Sequence, residues 1–473
     1  MKGSKFYDYA SSMSIYELNR FSKFMRSPLH NEDEKLKRFT DAILPFIKAA
    51  DWDSIDAKAI WKNVFGKSIY NHAKYIRLVS DTVKKLESFL VLDRFKQQEL
   101  LQHQYLLEIM GERKLGKHFT EFFDLTLKRQ QRFVTRDAQF YYLNFLIQQQ
   151  QNSFLENKNQ RSAEKNLDDV IDSLDIYYLT QKLKYSAALL HYKNFLSIET
   201  EIPLLQPLLK HLEEKNYNIP AIEIYRYIIL SQIEDNSDAH FKRLKELIIA
   251  HQQLFALDEV KAMYAFAMNY CINQINFGKS EYLHEILSLY KSALQSEALL
   301  EDGWLSQWDY KNIVTTALRV KDFKWAEKFL NEYKPRLPKP DRTNAYTFNL
   351  ARYYFAVKKY GEVLSLLQTV KYNDIFYQLD SKTTLLKTYY ELGEELPLDS
   401  LKDSFRILLR RKRLITPQQK ANYMNLLKFT QRLFKVDVKD KPALKTLRTE
   451  ILSADNVADK SWLVEKIGEI TPL

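Results

Sequence analysis

Residues 308–338 read WDYKNIVTTALRVKDFKWAEKFLNEYKPRLP, and residues 347–375 read TFNLARYYFAVKKYGEVLSLLQTVKYNDI. In each segment, apolar residues recur three, four and seven positions apart, first along one stripe and then, after a short polar turn, along a second. Phe323 and Tyr360 are 37 residues apart, as are Ala326 and Val363. Helices this short are not stable alone, so each must bury its apolar stripe against neighbours. The pattern predicts two antiparallel helical hairpins that repeat one another.

The rest of the chain shows the same alternation of amphipathic helices and short turns. The 473 residues include 9 glycines and 12 prolines, far below the average usage of about 12% together, and a many-stranded β architecture needs more turn residues than that. Ser14 with Glu17, and Thr416 with Gln419, are capping boxes that predict helix starts. We therefore predict an all-α protein.

A polar segment around residues 148–166 suggests a boundary in the chain. We predict an N-terminal helical unit over residues 1–160 and an array of helical hairpins over residues 161–473. The alternative is that the whole chain forms one continuous solenoid.

The twin hairpins resemble the tetratricopeptide repeat, whose period is about 34 residues. Ala326 and Leu330 fall at the small and the large apolar positions of its second helix, and Pro338 falls at its closing proline. Ala351 and Tyr354 fit the first helix of the next repeat. The resemblance implies a right-handed α-solenoid in which the first helix of each hairpin lines a concave groove. A helical-hairpin array with no relationship to that family would show much the same pattern.

Three further segments carry a second resemblance: residues 21–28, residues 174–183, and residues 385–411. Together they are similar to a group of uncharacterised bacterial helical-repeat proteins of the Bacteroidota type. That resemblance implies a helical-repeat fold and no known activity.

Two expectations concern burial. Tyr178, Tyr185 and Tyr192 are seven residues apart on one helical face, and such a stripe is predicted to lie in the core. The single cysteine, Cys271, lies among apolar residues, which predicts a buried, inert thiol. The chain has no apolar signal-peptide core at its start and no run of about 18 apolar residues, so we expect a cytoplasmic protein.

Sequence motifs do not indicate an enzyme. Residues 111–118, GERKLGKH, come close to the phosphate-binding pattern GxxxxGK[ST], but His118 replaces the hydroxyl residue and no strand precedes the segment. We interpret this segment as a hairpin turn. The nine histidines include no HxxxH or HExxH pair, and one cysteine cannot complete a zinc site by local spacing. We predict no catalytic residue, no metal and no cofactor, although a site assembled from residues distant in sequence stays open.

One candidate binding surface is the groove implied by the tetratricopeptide resemblance. Its polar residues are Lys311, Asn312, Arg319, Asn349 and Arg352. Such side chains can hold a carboxylate or an acidic segment by charge-assisted hydrogen bonds. The prediction is a non-catalytic scaffold or adaptor that binds a peptide or protein segment.

A second candidate lies in residues 401–450, which hold 14 basic and 4 acidic residues and so contribute nearly all of the net charge of +11. The densest part of this basic patch is Arg406, Arg410, Arg411, Lys412 and Arg413. Clustered cations can neutralise phosphates, so the alternative function is that of a nucleic-acid-associated regulator. Cations at the end of a helix also complement the helix dipole without binding any partner.

Overall fold

The computed structural model describes residues 2–157, 166–196, 201–234, 237–368, 375–411 and 414–470. Within these ranges the chain folds into 23 α-helices and one short β-hairpin, which confirms the predicted all-α class. The chain divides into two compact units, Met1–Gln181 and Lys182–Leu473. This division falls within a 30-residue helix, α9. The boundary predicted between residues 160 and 161 lies outside the described residues.

The first unit contains eight complete helices. They are α1 (Lys5–Ser11), α2 (Ile15–Arg26), α3 (Glu34–Lys48), α4 (Ala57–Phe65), α5 (His72–Lys96), α6 (Glu99–Glu112), α7 (Gly116–Gln131) and α8 (Ala138–Asn157). Helices α1 to α5 share one core, which includes Phe21, Phe39 and Trp61. Residues 111–118 form the end of α6, the connecting turn and the start of α7, as the hairpin interpretation predicts.

The predicted capping boxes both form. The side chain of Ser14 accepts a hydrogen bond from the Glu17 amide at 3.3 Å, and the Glu17 carboxylate accepts one from the Ser14 amide at 2.7 Å. Thr416 and Gln419 make the same reciprocal pair at 3.2 and 3.0 Å. Each pair satisfies amide groups that have no partner within the helix, and thereby determines where α2 and the helix that follows Thr416 begin.

The second unit is a succession of helical hairpins. Its helices are the end of α9 (Leu167–Leu196), α10 (Leu205–Glu214), α11 (Pro220–Ile233), α12 (Ser237–His251), α13 (Leu257–Asn276), α14 (Tyr282–Gln295), α15 (Gln307–Arg319), α16 (Phe323–Tyr333), α17 (Lys339–Ala356), α18 (Tyr360–Leu367), α19 (Ile375–Leu392), α20 (Glu395–Arg411), α21 (Pro417–Lys435), α22 (Lys441–Ser453) and α23 (Lys460–Ile470). Each helix from α11 to α20 packs on its partner in a hairpin, and α15, α17, α19 and α21 also pack on one another in that order. The odd-numbered helices from α15 onward therefore lie side by side.

The apolar stripes of the twin hairpins are buried as predicted. Ile313 and Val314 of α15 have no exposed surface, and the same holds for Ala326 of α16 and Val363 of α18. Removing such side chains from water is the main favourable contribution to folding, at about 25 cal/mol for each Å² of apolar surface.

The first helices of four successive hairpins end in the same way. Gly278, Lys321, Lys358 and Gly393 each have a positive φ, between 61° and 90°. In every case the amide of the next residue bonds to a carbonyl five residues earlier, which is the Schellman arrangement. Lys321 and Lys358 are 37 residues apart, the repeat length read from the sequence. The turn geometry therefore repeats together with the apolar stripes, even where lysine replaces the usual glycine.

Two expectations about burial had different outcomes. Cys271 is fully buried, which confirms its predicted burial, and burial raises the pKa of its thiol. The prediction for the tyrosine stripe of α9 is wrong, because Tyr178, Tyr185 and Tyr192 are 41%, 68% and 64% exposed. The buried face of α9 instead carries smaller side chains that admit close packing, among them Leu183 and Ala187.

The connection between α14 and α15 contains a β-hairpin that the sequence analysis did not predict. Leu300 pairs with Leu305 and Glu301 with Trp304 in antiparallel register. The two-residue loop, Asp302-Gly303, has φ values of 49° and 82°, the conformation that Asp-Gly adopts in tight hairpins.

Candidate ligand-binding site

Three polar side chains of α15 lie on one stripe of that helix. Lys311, Thr315 and Arg319 follow one another at intervals of four residues, which places them on the same face. Arg352 of α17 reaches this stripe, because its Nη1 atom donates a hydrogen bond to Oγ1 of Thr315 at 2.6 Å. The guanidinium of Arg352 therefore lies about one helical turn from the point where Arg319 leaves α15.

Lys387 of α19 extends this row of cations to a third helix. Its ammonium lies 4.9 Å from the ring centre of Phe355, which follows Arg352 by one turn on α17. The same ammonium pairs with the carboxylate of Asp459 at 2.7 Å. Three neighbouring helices thus contribute Arg319, Arg352 and Lys387 to one region, which we call the cationic cluster.

Asp459 is held beside the cluster by a loop that precedes α23. The amide of Ala458 donates to the carbonyl of Asn422 at 3.1 Å, and Nδ2 of Asn425 donates to the carbonyl of Asn456 at 2.8 Å. Both partners belong to α21. The carboxylate is therefore positioned by packing between helices that follow the cluster in the chain.

All three cations of the cluster act on this carboxylate. Desolvation raises the pKa of Asp459, but the charges of Lys387, Arg352 and Arg319 outweigh it and hold the pKa below its usual value. One anion is thus surrounded by three cations that come from different helices.

Lys311 belongs to a neighbouring ion pair. Its ammonium pairs with Asp380 of α19, and its side chain is 17% exposed. The rings of Trp308 and Tyr377 lie 5.8 and 5.7 Å from the same ammonium. Aromatic faces attract cations, so this environment holds Lys311 in one position.

Asp380 and Asp459 both lie near Tyr423 of α21. Burial raises the pKa of the Tyr423 hydroxyl, and the charges of Asp380 and Asp459 raise it further. The Lys311–Asp380 pair and the cationic cluster are therefore parts of one polar region on α15, α17, α19 and α21.

Three of the five residues predicted for the groove thus share this region: Lys311, Arg319 and Arg352. Asn312 is exposed on α15. Asn349 was expected on an open surface, but its side chain is fully buried and its Nδ2 atom donates to the Ala345 carbonyl at 2.8 Å. It precedes Arg352 by three residues and faces the interior of the hairpin, so it is not open to a ligand.

The region carries more positive than negative charge. Lys311 and Lys387 each have an aspartate partner. Among the described residues, neither Arg319 nor Arg352 has an ion-pair partner of its own. Within the described residues, these two guanidinium charges are therefore not balanced by a carboxylate of their own.

Sequence reasoning missed Lys387, Asp380 and Asp459. Lys387 follows Arg352 by 35 residues, close to the repeat length, so continuing the hairpin pattern into α19 would have indicated it. Asp459 is 72 residues from Lys387, and no periodicity connects them.

The basic patch of residues 401–450 has a different local arrangement. Its cations have acidic neighbours: Arg406 with Asp403, Arg432 with Glu450, Lys435 with Glu395 and Asp399, and Lys402 with Asp399. Arg410 and Arg411 are exposed in the last turn of α20. Lys412 and Arg413 lie outside the described residues. Four of the fourteen cations counted in the sequence thus have a carboxylate partner among the described residues.

In the ranges that the structure covers, no three histidine, cysteine, aspartate or glutamate side chains converge as a metal site requires. None of the described helices combines the length and apolar character needed to cross a membrane. Comparison of the chain with protein-family models, with curated proteins and with solved structures gave no match.

Proposed function

We propose that this protein is a non-catalytic scaffold or adaptor, a tetratricopeptide-like, right-handed α-solenoid that binds an acidic protein segment across its odd-numbered helices. The observation that carries the proposal is the convergence of Arg319, Arg352 and Lys387 from α15, α17 and α19. The repeated turn at Lys321 and Lys358 supports a repeat architecture. A reducing, cytoplasmic setting accords with the single buried cysteine.

A protein segment suits this site better than a compact small molecule. The cations are contributed by three neighbouring helices, whose axes in packed pairs are typically about 8–10 Å apart. An extended chain spans about 3.3 Å per residue, so about three residues cross each interval. Carboxylates placed along such a segment can reach guanidinium groups on successive helices by charge-assisted hydrogen bonds.

The cationic cluster is a better candidate than the basic patch. Arg406, Arg432 and Lys435 of the patch already have acidic neighbours, which a phosphate backbone would need to displace. Arg319 and Arg352 require no such displacement within the described part of the chain. Arg410 and Arg411 require none there either, but both come from the last turn of one helix, whereas the cluster draws its cations from three neighbouring helices. We therefore assign the principal interaction to the cluster.

The test uses the full chain and a displayed library of random 12-residue peptides. Two charge-reversal variants are compared with the native protein: Arg319→Glu with Arg352→Glu, and the matched control Arg410→Glu with Arg411→Glu. We expect the native protein and the control to enrich peptides rich in aspartate and glutamate, and the cluster variant to lose this enrichment. Circular dichroism and thermal unfolding confirm that each variant is folded.

A fluorescent 20-nucleotide single-stranded DNA and its duplex serve as the alternative ligand. Binding of either DNA that is lost in the Arg410 and Arg411 variant, with no peptide enrichment by the native chain, would overturn the proposal. That result would show that the basic patch, and not the cationic cluster, is the binding surface.

A further inference from the structure

The charge balance around Asp459 indicates what kind of anion the cluster accommodates. Lys387 and Asp459 neutralise each other as an ion pair at 2.7 Å. Arg319 and Arg352 lie beside this pair, and no carboxylate in the described ranges forms an ion pair with either of them. A single ligand carboxylate would compensate one of these two charges, whereas a dianion would compensate both.

The two cations of the cluster that have no ion-pair partner among the described residues, Arg319 and Arg352, are both arginines. A guanidinium presents a planar fork of N–H donors that matches two oxygens of a phosphate at once, whereas an ammonium is a point charge without that geometry. The hydrogen bond from Arg352 to Thr315 uses one Nη1 donor, and the described residues include no acceptor for the rest of the fork. Arg319 is exposed on the next turn of the same stripe of α15.

The ion pair of Lys387 with Asp459 forms one side of the cationic cluster and is held in place there. Asp459 is anchored through its loop to α21, and Lys387 lies against the ring of Phe355. The carboxylate keeps Lys387 in place and repels any anion that approaches from its own side. A ligand anion is therefore directed toward the two arginines.

We propose that the segment bound at the cationic cluster carries a phosphate monoester, on phosphorylated serine, threonine or tyrosine, which Arg319 and Arg352 bind together. This inference rests on the proposed function, because it assumes a protein segment as the ligand. A phosphate monoester carries a charge of about −1.5 to −2 at pH 7 and has three strong acceptor oxygens. In number and in geometry it matches the two guanidinium charges that have no ion-pair partner within the described residues.

The first experiment compares three libraries of 11-residue peptides on the full chain. They are identical except for the central residue, which is phosphoserine, glutamate or serine. We expect the phosphoserine library to bind at least about tenfold more tightly than the glutamate library, since charge-assisted contacts to a forked donor are the stronger ones. Serine should bind most weakly.

Inorganic phosphate is the fourth probe, because a free ion offers the same chemistry as a phosphorylated side chain. We expect inorganic phosphate to compete only at concentrations at least about a hundredfold above those of the phosphoserine library, since it lacks the contacts of the flanking residues. Equal potency of inorganic phosphate and the library would overturn the assignment to a protein segment.

The variant Arg319→Lys with Arg352→Lys retains both charges and removes both forks. We expect it to lose the preference for phosphoserine over glutamate while it still binds acidic peptides. Arg410→Lys with Arg411→Lys is the matched control and should retain the preference. A preference that survives in the cluster variant would place the phosphate elsewhere.

The variant Asp459→Asn gives a gain that misfolding cannot imitate. It removes the competing anion and keeps a hydrogen-bonding side chain, so we expect the phosphoserine library to bind about three- to tenfold more tightly. Unchanged or weaker binding would contradict the role given to Asp459.

The outcomes separate the two proposals. Equal binding of the phosphoserine and glutamate libraries would overturn the phosphate monoester and leave the acidic segment in place. Failure of all three peptide libraries to bind would overturn both.

Discussion

The cationic cluster and the basic patch are both rich in lysine and arginine, yet their charges are arranged in opposite ways. In the patch, cation and carboxylate often lie three residues apart on one helix, as Arg406 and Asp403 do. In the cluster, Arg319, Arg352 and Lys387 come from three helices and share Asp459 as their common anion. Four of the fourteen cations of the patch thus have a carboxylate partner among the described residues, whereas the cations of the cluster come from separate helices and surround one carboxylate.

This difference shows that a charge count over a sequence window does not measure the charge available to a ligand. Residues 401–450 carry nearly all of the net charge of the chain, but four of their cations already have a carboxylate partner among the described residues. The segment that contains α15 and α17, residues 307–356, holds ten basic and five acidic residues, half of the excess of positive charge in residues 401–450. What makes it a candidate site is the packing of adjacent helices, which brings like charges together.

The largest expected difference between the two regions is in ligand affinity. Arg319→Glu with Arg352→Glu should weaken binding of an acidic or phosphorylated peptide by about a hundredfold, because two charge-assisted contacts become repulsive. Arg410→Glu with Arg411→Glu should change it by less than about twofold. Isothermal titration calorimetry at one fixed salt concentration measures both, and equal losses in the two variants would remove the distinction between the regions.

A second comparison uses one lysine from each region. Lys387→Met deprives Asp459 of its direct partner, so we expect the pKa of that carboxyl to rise, and Lys435→Met should leave it unchanged. The lowered pKa of Asp459 contributes stability that is present above its ordinary value of 3.8 and lost as the pH falls through the lowered value. Because Asp459 is 44% exposed, the loss in Lys387→Met at pH 7 should not exceed about 1 kcal/mol.

Denaturant unfolding at pH 7 and at pH 3 checks this prediction. The difference in free energy of unfolding between the native protein and Lys387→Met should shrink at the lower pH. A difference that is the same at both values would mean that Lys387 acts through packing against Phe355 alone.

A smaller effect concerns the turns that set the spacing of the helices beneath the cluster. Lys321 and Lys358 both have a φ of 61°, where a side chain adds strain that glycine avoids. Replacing either lysine by glycine should stabilise the protein by about 0.5–1 kcal/mol. Lys328→Gly is the control: it lies on the exposed face in the middle of α16 and should destabilise by about 1 kcal/mol. Thermal unfolding distinguishes the two signs, and destabilisation by both turn variants would contradict the repeated Schellman geometry.

The smallest expected effect is at Asn349. Its side-chain oxygen is buried without a hydrogen-bond partner among the described residues, so Asn349→Leu should change the free energy of unfolding by less than about 1 kcal/mol. Peptide affinity should change by less than about twofold, because the residue does not face the cluster. A large loss of peptide affinity with unchanged stability would show that Asn349 belongs to the binding surface.

Much of the fold could be predicted from the sequence where the signals are local. The apolar stripes of the twin hairpins predicted the burial of Ile313 and Val363, and short side-chain patterns predicted the capping boxes. The register of the repeat also placed Arg319 and Arg352 on the same surface. These features depend on spacings within a turn or within one repeat.

Periodicity was not sufficient to choose between two faces of one helix. The tyrosine stripe of α9 has the spacing of a core face, yet Tyr185 is 68% exposed while Leu183 is buried. Both stripes have helical spacing, and the neighbouring helices determine which one is covered. Asp459 was unpredictable for a related reason, since its place beside Lys387 depends on the packing of its loop against α21.

The most direct test of the uncompensated charge at the cluster is a crystal of the full chain soaked in tungstate. Tungstate is a dianion with oxygen acceptors, and its metal can be located by anomalous scattering. The account predicts an anomalous peak within hydrogen-bonding distance of the guanidiniums of Arg319 and Arg352, and none between Arg410 and Arg411. A peak confined to Arg410 and Arg411, or an unoccupied cluster with the two guanidiniums far apart, would contradict it.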